Sequence, residues 1–432
     1  MKKLLLSTII CLGSAALATA QTAPAGAAVC PDDNDAELRL NPELAPVPAP
    51  KYDAVSYAPY PFLATDSNHI ALNGADWSAL RSKGADTGSR ALRIVLLGDS
   101  HIQADGATSV TRRLLQSRYG TAGRGLVTPL KLVGSNQPAD YRLTSTTPGW
   151  ATARLMKRPW ASDMLFTGVS ATPPAGKFDL RLELTGVSAG ERFSTVSIYY
   201  GGKTPQVEGV STLAGENVQF TANDNTPGCL TLALERPVSG CELQLASGGD
   251  TRIGGLRLTG ADSGVEFTTI GNNGAAFQSY LGLETGKGVA TMKPDLIILA
   301  MGANDAWGNM TDAQFVSSVD RLVSELQQAN PDARILLTTP AEAQKRQGKK
   351  GGYAPHAKIK HFRDLLLQYG RGHNVATWDF YAIAGGDGSS YPWNEARLFS
   401  RDRIHLSWDG YTLMGQLLGE ALTESLSKSH EK

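Results

Sequence analysis

The sequence has no excess of charge of either sign, because 41 lysines and arginines stand against 41 aspartates and glutamates in 432 residues. A chain balanced in this way has no general electrostatic attraction for nucleic acid. After residue 20 no segment approaches the roughly 20 uninterrupted apolar residues that a membrane-spanning helix needs. We therefore expect neither a nucleic-acid partner nor a membrane span.

Close pairs of metal-ligating residues are also lacking, since no helical His-x-x-x-His or similar spacing occurs. His101, Asp105, Asp402 and His405 could in principle ligate a metal, but their spacing has no such pattern. We expect no metal site.

The first 20 residues have the pattern of a signal peptide. Lys2 and Lys3 precede an apolar run over residues 4–17, and small residues at 18–20 provide a cleavage site. We therefore expect residues 1–20 to be removed and the mature protein to be exported to the periplasm or cell envelope.

Cysteine is scarce, with 4 in the whole chain. Export would place the mature cysteines in an oxidising compartment, where Cys229 and Cys241 either form a disulfide or remain free thiols. Cys30 is left without an evident partner.

The length of the chain exceeds what one hydrophobic core usually serves, so two domains are expected. Residues 21–61 are rich in Ala and Pro, which is typical of an extended arm or linker. The remaining chain divides into an α/β domain in two parts, residues 62–133 and 263–428, and an inserted all-β sandwich over residues 134–262.

Hydrophobic strands alternate with amphipathic helices in the α/β parts. Strands are predicted at 92–97, 296–300, 334–338 and 375–380, and helices at 104–119, from 311 onward and at 356–369. Thr311 and Gln314 have the spacing of a capping box. This alternation predicts a parallel sheet covered by helices on both faces.

The middle of the chain has a period of two, which is typical of half-buried strands. The alternating positions are Leu180, Leu182, Leu184; Val196, Ile198, Tyr200; Leu230, Leu232, Leu234; and Cys241, Leu243, Leu245. Glycine and proline turns separate these runs. The pattern predicts an all-β sandwich inserted into the α/β domain.

Four short blocks carry the residue types that acyl transfer needs, namely Gly98–His101, Asn273–Gly274, Gly302–Asp305 and Asp402–His405. Together they supply a nucleophile, oxyanion donors and an acid-histidine pair. This inventory predicts a serine esterase.

Ser100 follows a buried strand, so its hydroxyl is expected at the carboxyl edge of the sheet, where open α/β folds build their sites. Asp402 stands three residues before His405 and could orient its ring, leaving the other ring nitrogen to act as general base. The alternatives are an ordinary turn at Ser100 and a helix-entry turn in which Ser407 and Asp409 cap the last helix.

Three groups could stabilise the oxyanion: the backbone N–H of Ser100, the backbone N–H of Gly274 and the side-chain amide of Asn304. Gly271 in the same glycine-asparagine loop competes with Gly274. Asn304 could instead serve only as a turn residue that tolerates a left-handed backbone.

These blocks resemble those of the SGNH (GDSL-type) hydrolases, whose Ser, Gly, Asn and His are matched by Ser100, Gly274, Asn304 and His405. The resemblance implies a flavodoxin-like α/β/α sheet and esterase or acylhydrolase activity without a metal or organic cofactor. His101 in place of the commoner Leu, the β insertion and the export signal are similar to bacterial peptidoglycan O-acetylesterases. That similarity implies a carbohydrate-binding-module-like insertion and an O-acetylated glycan as substrate.

Candidate substrate contacts are His101, Trp307 and Trp378, and Trp393 stands in a similar loop. These aromatic loops could bind either sugars or a long acyl chain. A lipase-like or other carbohydrate acylesterase with the same triad and a non-catalytic glycan-binding protein are therefore alternatives. Acetyl transfer to a second sugar would use the same residues.

Basic residues cluster in a glycine-rich stretch after the 334–338 strand, at Lys345, Arg346, Lys349 and Lys350. A solvated loop is one reading of this stretch, and a lid that contacts an anionic glycan is the other. His356 and His361 are expected to face solvent on the following helix.

Overall fold

A computed structural model describes residues 51–158, 160, 163–260, 262–348 and 351–427. The predicted signal peptide, the arm up to residue 50, Cys30, Lys349 and Lys350 lie outside these described residues.

A seven-stranded central sheet forms the α/β domain. In spatial order, and numbered along the chain, its strands are Ile70–Ala71 (β1), Ala376–Trp378 (β20), Arg334–Thr338 (β17), Leu296–Ala300 (β16), Ala91–Gly98 (β2), Gly264–Gly271 (β15) and Thr121–Gly123 (β3). β1 is antiparallel to β20, and the other pairs are parallel. The order of the five strands from β15 to β20 is that of flavodoxin-like folds, so the predicted fold class is confirmed.

Helices cover both faces of this sheet. They are Ser78–Ala85 (α1), Ser100–Gln103 (α2), Gly106–Tyr119 (α3), Thr285–Ala290 (α4), Ala303–Trp307 (α5), Asp312–Ala329 (α6), Ala357–His373 (α7), Phe380–Ile383 (α8), Ser390–Glu395 (α9) and Trp408–Ser427 (α10). Short 3-10 turns stand at Thr65–Ser67, Gly186–Ser188 and Phe277–Tyr280.

Successive residues of β2 face opposite layers, as the pleat of a strand requires. Leu96 packs with α1, α3 and α10, whereas Leu97 packs with α6 and α7. β2 is therefore buried on both faces, and its carboxyl end has a fixed position at the centre of the sheet.

The predicted capping box at the start of α6 is present, with Thr311 Oγ1 accepting from the Gln314 N–H.

Two antiparallel sheets form the insertion. One contains Gln206–Thr212 (β10), Gly240–Ser247 (β13), Gly176–Leu184 (β8) and Tyr141–Thr144 (β5), in that order. The other contains Phe220–Thr226 (β11), Cys229–Val238 (β12), Phe193–Gly202 (β9), Thr251–Thr259 (β14), Val169–Thr172 (β7) and Ala151–Arg154 (β6), with Gly125–Val127 (β4) also paired to β14. The predicted alternating residues pack between these sheets, so the inserted β domain is confirmed.

The two buried cysteines are free thiols, so of the two alternatives for Cys229 and Cys241 the disulfide is not formed. Cys241 points into the sandwich core, beside Leu243. Cys229 and Leu230 are neighbours on one strand, so their side chains face opposite sides of the sheet. Leu230 faces the sandwich core, and Cys229 faces the helical layer of the α/β domain. The two thiols lie on opposite faces and in different sheets.

Near the predicted domain boundaries, β4 already belongs to the insertion, and β15 returns to the central sheet at Gly264.

The described end of the arm lies on α10. Gln416 accepts from the Tyr52 hydroxyl and the Val55 N–H, and donates to the Val55 carbonyl oxygen.

A buried cluster of four charges joins the insertion to the start of α3. Arg112 and Arg124 each contact both Asp105 and Asp140, with distances of 2.8 to 3.0 Å. All four side chains are almost fully inaccessible to solvent. Since Asp105 stands two residues after the end of α2, this cluster fixes the segment next to Ser100 relative to the insertion.

Within the described ranges, no helix is long and apolar enough to cross a membrane. No group of three or more His, Cys, Asp or Glu side chains in the same ranges has a metal-binding arrangement.

Candidate active site

Ser100 is the first residue of α2, immediately after the central strand β2. Asp99 caps this helix, because its side chain accepts the His101 N–H at 2.9 Å. Gly98 is required at the strand end, since a Cβ there would lie 2.2 Å from the Ile102 side chain. The Ser100 hydroxyl therefore emerges at the carboxyl edge of the sheet, as predicted. The helix predicted over 104–119 is α3, which begins at Gly106, and Asp105, whose φ is +57°, separates it from the short helix α2.

His405 reaches Ser100 from a loop before α10. Its Nε2 lies 2.8 Å from the Ser100 Oγ, and its Nδ1 lies 2.6 Å from the Asp402 Oδ2. A carboxylate can only accept, so Nδ1 carries the proton and Nε2 accepts from the serine hydroxyl. The structure thus brings together the three residues predicted to form a triad.

The Asp402 carboxylate is fixed by its own turn. Its Oδ1 accepts the backbone N–H groups of Ile404 and His405, both at 3.0 Å. Partial burial raises the pKa of Asp402, but the hydrogen bonds from His405 and the backbone outweigh it and bring the pKa below its ordinary value. Asp402 is therefore a carboxylate throughout the neutral pH range.

Asn304 stands beside the nucleophile. It lies on α5, directly after β16 and the Gly302 turn, where φ is +120°. Its Nδ2 donates to the Asp99 Oδ2 at 3.2 Å and to the Ala275 carbonyl at 3.0 Å. The amide thus links the turn before Ser100 with the loop that contains Gly274.

Gly274 and Gly271 have different surroundings. Gly271 ends β15, and a Cβ there would lie 2.4 Å from the Gln103 backbone nitrogen, so close packing requires this glycine. Gly274 has a φ of +81°, and its N–H has no hydrogen-bond acceptor among the described residues. Its surroundings suit an oxyanion donor better than those of Gly271.

Gln103 connects the nucleophile helix to two other loops, a role that the sequence analysis missed. Its Oε1 accepts the Asn273 N–H at 2.8 Å, next to Gly274. Its Nε2 donates to the Asn136 carbonyl oxygen and side chain and to the Ser135 hydroxyl, which belong to the insertion. These partners are far apart in sequence, so no local pattern could have revealed the contacts.

Two buried carboxyl groups lie under the site. Burial raises the pKa of Asp99 to about 6, although the hydrogen bonds that it accepts from His101 and Asn304 lower it. Burial raises the pKa of Asp305 to about 7, and the nearby Asp99 adds to the effect. Asp305 Oδ1 accepts the Phe277 N–H, whereas Oδ2 has no partner among the described residues. Asp305 was in the predicted Gly302–Asp305 block but had been given no role.

His101 packs between His405 and Tyr411. Its ring centroid is 5.1 Å from that of His405, and its Nδ1 lies 3.2 Å from the Tyr411 hydroxyl oxygen. Burial and the neighbouring His405 lower the pKa of His101 to about 3. The ring is therefore neutral at neutral pH and adds no charge beside His405.

Two of the aromatic residues considered for substrate contact are core residues instead. Trp378 has 0% of its surface exposed and its Nε1 donates to the Asn68 side chain, and Trp393 is 1% exposed. The expectation that Trp378 contacts substrate is therefore wrong, because β1 covers the strand that carries it. Trp307 is half-buried on α5, and its ring lies 4.5 Å from that of His356.

The basic stretch is a hairpin in its described part. Gln344–Arg346 (β18) pairs with Tyr353–Pro355 (β19). His361 is exposed as expected, but His356 is half-buried and its Nε2 donates to the Ala306 carbonyl oxygen. The expectation that His356 faces solvent is wrong, because it packs on Trp307.

Comparisons with known proteins agree with this geometry. Residues 245–413 match the model of the GDSL-like Lipase/Acylhydrolase family. Ser100 lies before that matched range, which begins within the last strands of the insertion. No curated protein sequence matches the chain.

The structure of a peptidoglycan O-acetylesterase is similar over 84% of this chain and 99% of its own, with 22% identity and a TM-score of 0.67. An acetyl xylan esterase, AlAXEase, matches over 37% of this chain and 81% of its own, with 22% identity and a TM-score of 0.31. A GDSL-like lipase from Bacteroides thetaiotaomicron matches over 37% of this chain and 76% of its own, with 18% identity and a TM-score of 0.31.

The first of these structures extends the match in fold across both the α/β domain and the insertion. The family model, the strand order and the four blocks agree. Residues 245–413 thus match the GDSL-like Lipase/Acylhydrolase family, and the chain has the fold of such a hydrolase with an inserted β domain. The family match and the shared fold support an acylesterase.

Proposed function

We propose that this protein removes O-linked acetyl groups from cell-envelope polysaccharide, with the muramic acid O-acetyl of peptidoglycan as the leading substrate. The observation that carries the proposal is the hydrogen-bonded series from Ser100 through His405 to Asp402, at 2.8 and 2.6 Å. Such a series activates a serine hydroxyl toward an ester carbonyl.

In the first step the Ser100 Oγ attacks the ester carbonyl carbon, and its proton passes to His405 Nε2. Collapse of the tetrahedral intermediate breaks the bond to the sugar oxygen, which takes that proton from His405. Water then attacks the acyl-Ser100 ester by the same route in reverse, releasing acetate and free serine. Asp402 holds the ring orientation and stabilises the imidazolium in both steps.

The oxyanion takes hydrogen bonds from the N–H groups of Ser100 and Gly274 and from Asn304 Nδ2. As the first residue of α2, Ser100 has no acceptor for its N–H within the helix. Both Asn304 amide hydrogens are engaged without substrate, so an oxyanion displaces one of them. The neutral Ala275 carbonyl is the weaker of the two acceptors and the one expected to give way.

The burial of two tryptophans favours a short acyl group. Burial of Trp378 and Trp393 removes two residues that could have lined a cleft for a long acyl chain. Acetyl is therefore preferred over the lipase-like alternative.

The polysaccharide part of the proposal has two supports. One solved structure that shares the fold of both the α/β domain and the insertion is that of a peptidoglycan O-acetylesterase. The signal-peptide pattern of residues 1–20 supports export to the periplasm, where such a polymer lies. The intact Ser100, His405 and Asp402 geometry argues against a purely glycan-binding protein.

The experiment is acetate release from purified O-acetylated peptidoglycan, from acetylated xylan and from nitrophenyl esters of increasing chain length. We expect acetate from peptidoglycan, a preference for acetyl over octanoyl esters, and loss of both activities in Ser100→Ala. Ser117→Ala, an exposed serine on α3, is the matched control and should match wild type. Equal acetate release by Ser100→Ala would refute the mechanism, and release only from long-chain esters would refute the substrate.

A further inference from the structure

The segment after β6 brings the insertion next to the Gly274 loop. Met156 is 52% exposed, although large apolar side chains are usually covered. A Cβ at Gly274 would lie 3.7 Å from the Met156 Cγ. The inserted domain therefore reaches the edge of the site at a candidate oxyanion donor, and not only at a distant face.

A cavity of about 190 Å³ lies at this junction. Gln103, Asn272 and Asn273 line it from the α/β domain, and Arg154, Met156 and Lys157 line it from the insertion. The volume is smaller than that of a typical complete ligand pocket. It suits one group of a larger substrate that extends away from Ser100.

The charged residues that line this cavity, Arg154 and Lys157, are both cations. Arg154 and Lys157 are paired in an antiparallel bridge, so both side chains project to the same side of the turn. Arg154 Nη1 donates to the Gly134 carbonyl oxygen at 2.9 Å, which holds the guanidinium in place. Among the described residues no carboxylate lies within ion-pair distance of either cation. Surface cations of the insertion such as Arg142, Lys177 and Arg181 do have such partners.

We infer that this cavity is a substrate subsite for a carboxylate carried by the glycan polymer next to the acetylated sugar. Arg154 and Lys157 supply charge-assisted hydrogen bonds to that carboxylate. The inference rests on the proposed function, because it assigns the group that accompanies the ester in the same substrate. It gives the insertion a direct part in choosing an anionic over a neutral acetylated glycan.

The first test is kinetic and uses the whole protein with both cations replaced, Arg154→Gln with Lys157→Gln. The measured quantity is kcat/KM for O-acetylated peptidoglycan relative to kcat/KM for 4-nitrophenyl acetate. We expect this ratio to fall about 10-fold through KM, since two charge-assisted contacts are lost and 1.4 kcal/mol is tenfold. The corresponding ratio for neutral acetylated xylan should change much less. Lys177→Gln, on the four-stranded sheet, should leave both ratios at the wild-type value.

An unchanged kcat/KM ratio for peptidoglycan would overturn the subsite, and so would an equal fall in the ratio for xylan.

A second measurement is independent of the esterase reaction. Ser100→Ala is titrated with soluble peptidoglycan fragments lacking O-acetyl groups, with and without the two substitutions. Binding weakened about 10-fold by the substitutions, and weakened by added salt, supports the subsite. Equal affinity overturns it. Wild type that releases no acetate from peptidoglycan would refute the proposed function, whereas this titration decides the subsite.

Discussion

Asn304 Nδ2 lies 3.2 Å from the Asp99 Oδ2, so the residue before the nucleophile holds the amide proposed to bind the oxyanion. Asn304→Ala removes this donor from the transition state while leaving the triad in place. We expect kcat for 4-nitrophenyl acetate to fall about 10²- to 10³-fold with little change in KM. Steady-state kinetics measures both values.

Asn309→Ala is the control for that change, because Asn309 is exposed just beyond α5. It should keep wild-type kcat. A rise in KM without a fall in kcat for Asn304→Ala would mean that Asn304 binds the ground state instead of the oxyanion.

Asp402→Asn tests the tautomer that the triad requires. An asparagine amide can donate to His405 Nδ1, which would leave Nε2 protonated and unable to accept from Ser100. We expect kcat to fall about 10³- to 10⁴-fold while the unfolding midpoint changes little. Acetate release and thermal denaturation together measure this.

Asp409→Asn, in the first turn of α10, is the matched control and separates the triad role from helix capping. If Asp409→Asn reduced kcat as much as Asp402→Asn, the orienting role of Asp402 would be wrong.

The sequence alone was sufficient for the elements whose pattern is local. Buried strands such as Leu296–Ala300 were predicted with their observed bounds, because continuous apolar runs between turn residues define them. The first three blocks also converge, since they follow β2, β15 and β16, and parallel strands present their carboxyl ends at one edge. The Asp402–His405 block reaches the same edge from the loop before α10.

Features that depend on distant packing were not predictable in the same way. Trp378 is buried because β1 adds to the sheet edge beside it, and only two residues form that strand. The contacts of Gln103 with Asn136 and Asn273 join three distant segments. In contrast, the sequence contained enough to exclude the disulfide alternative, because Cys229 is out of phase with Leu230 and Leu232, while Cys241 is in phase with Leu243.

Asp305→Asn should change how stability depends on pH. The pKa of Asp305 is about 7 in the folded protein, against about 4 in an unfolded chain. Between these values the unfolded chain has lost a proton that the folded protein keeps, so wild-type stability falls as pH rises from about 4 to 7. Asparagine cannot ionise, and we expect the variant to gain about 2 to 4 kcal/mol relative to wild type between pH 4 and pH 8.

Urea denaturation at several pH values measures that difference. Asp332→Asn, an exposed aspartate before β17, is the control and should show little pH-dependent change. A constant difference between Asp305→Asn and wild type would mean that the pKa of Asp305 is the same in the folded protein as in the unfolded chain.

Gln103→Leu separates positioning from packing in the Gly274 loop. Leucine fills similar space but leaves the Asn273 N–H without its acceptor in the protein, so the loop loses its fixed position. We expect kcat to fall about 10-fold and the unfolding free energy to fall by about 1 to 3 kcal/mol. Ser135→Ala removes one acceptor of Gln103 Nε2 but keeps the bond from Asn273 to Gln103, so it should weaken the contact with the insertion while preserving most of kcat. Equal kcat losses in the two variants would contradict a positioning role.

Arg124→Met tests the buried charge cluster that joins the insertion to α3. Removing one cation leaves Asp105 and Asp140 with Arg112 alone, and their charges cannot be solvated because all three side chains are buried. We expect the free energy of unfolding to fall by about 3 to 5 kcal/mol, the usual effect of breaking a buried pair. Arg142→Gln, which breaks the exposed pair with Glu183, should cost less than about 1 kcal/mol. Urea denaturation compares the two, and equal small losses would mean that the cluster is hydrated in solution and does not fix the insertion.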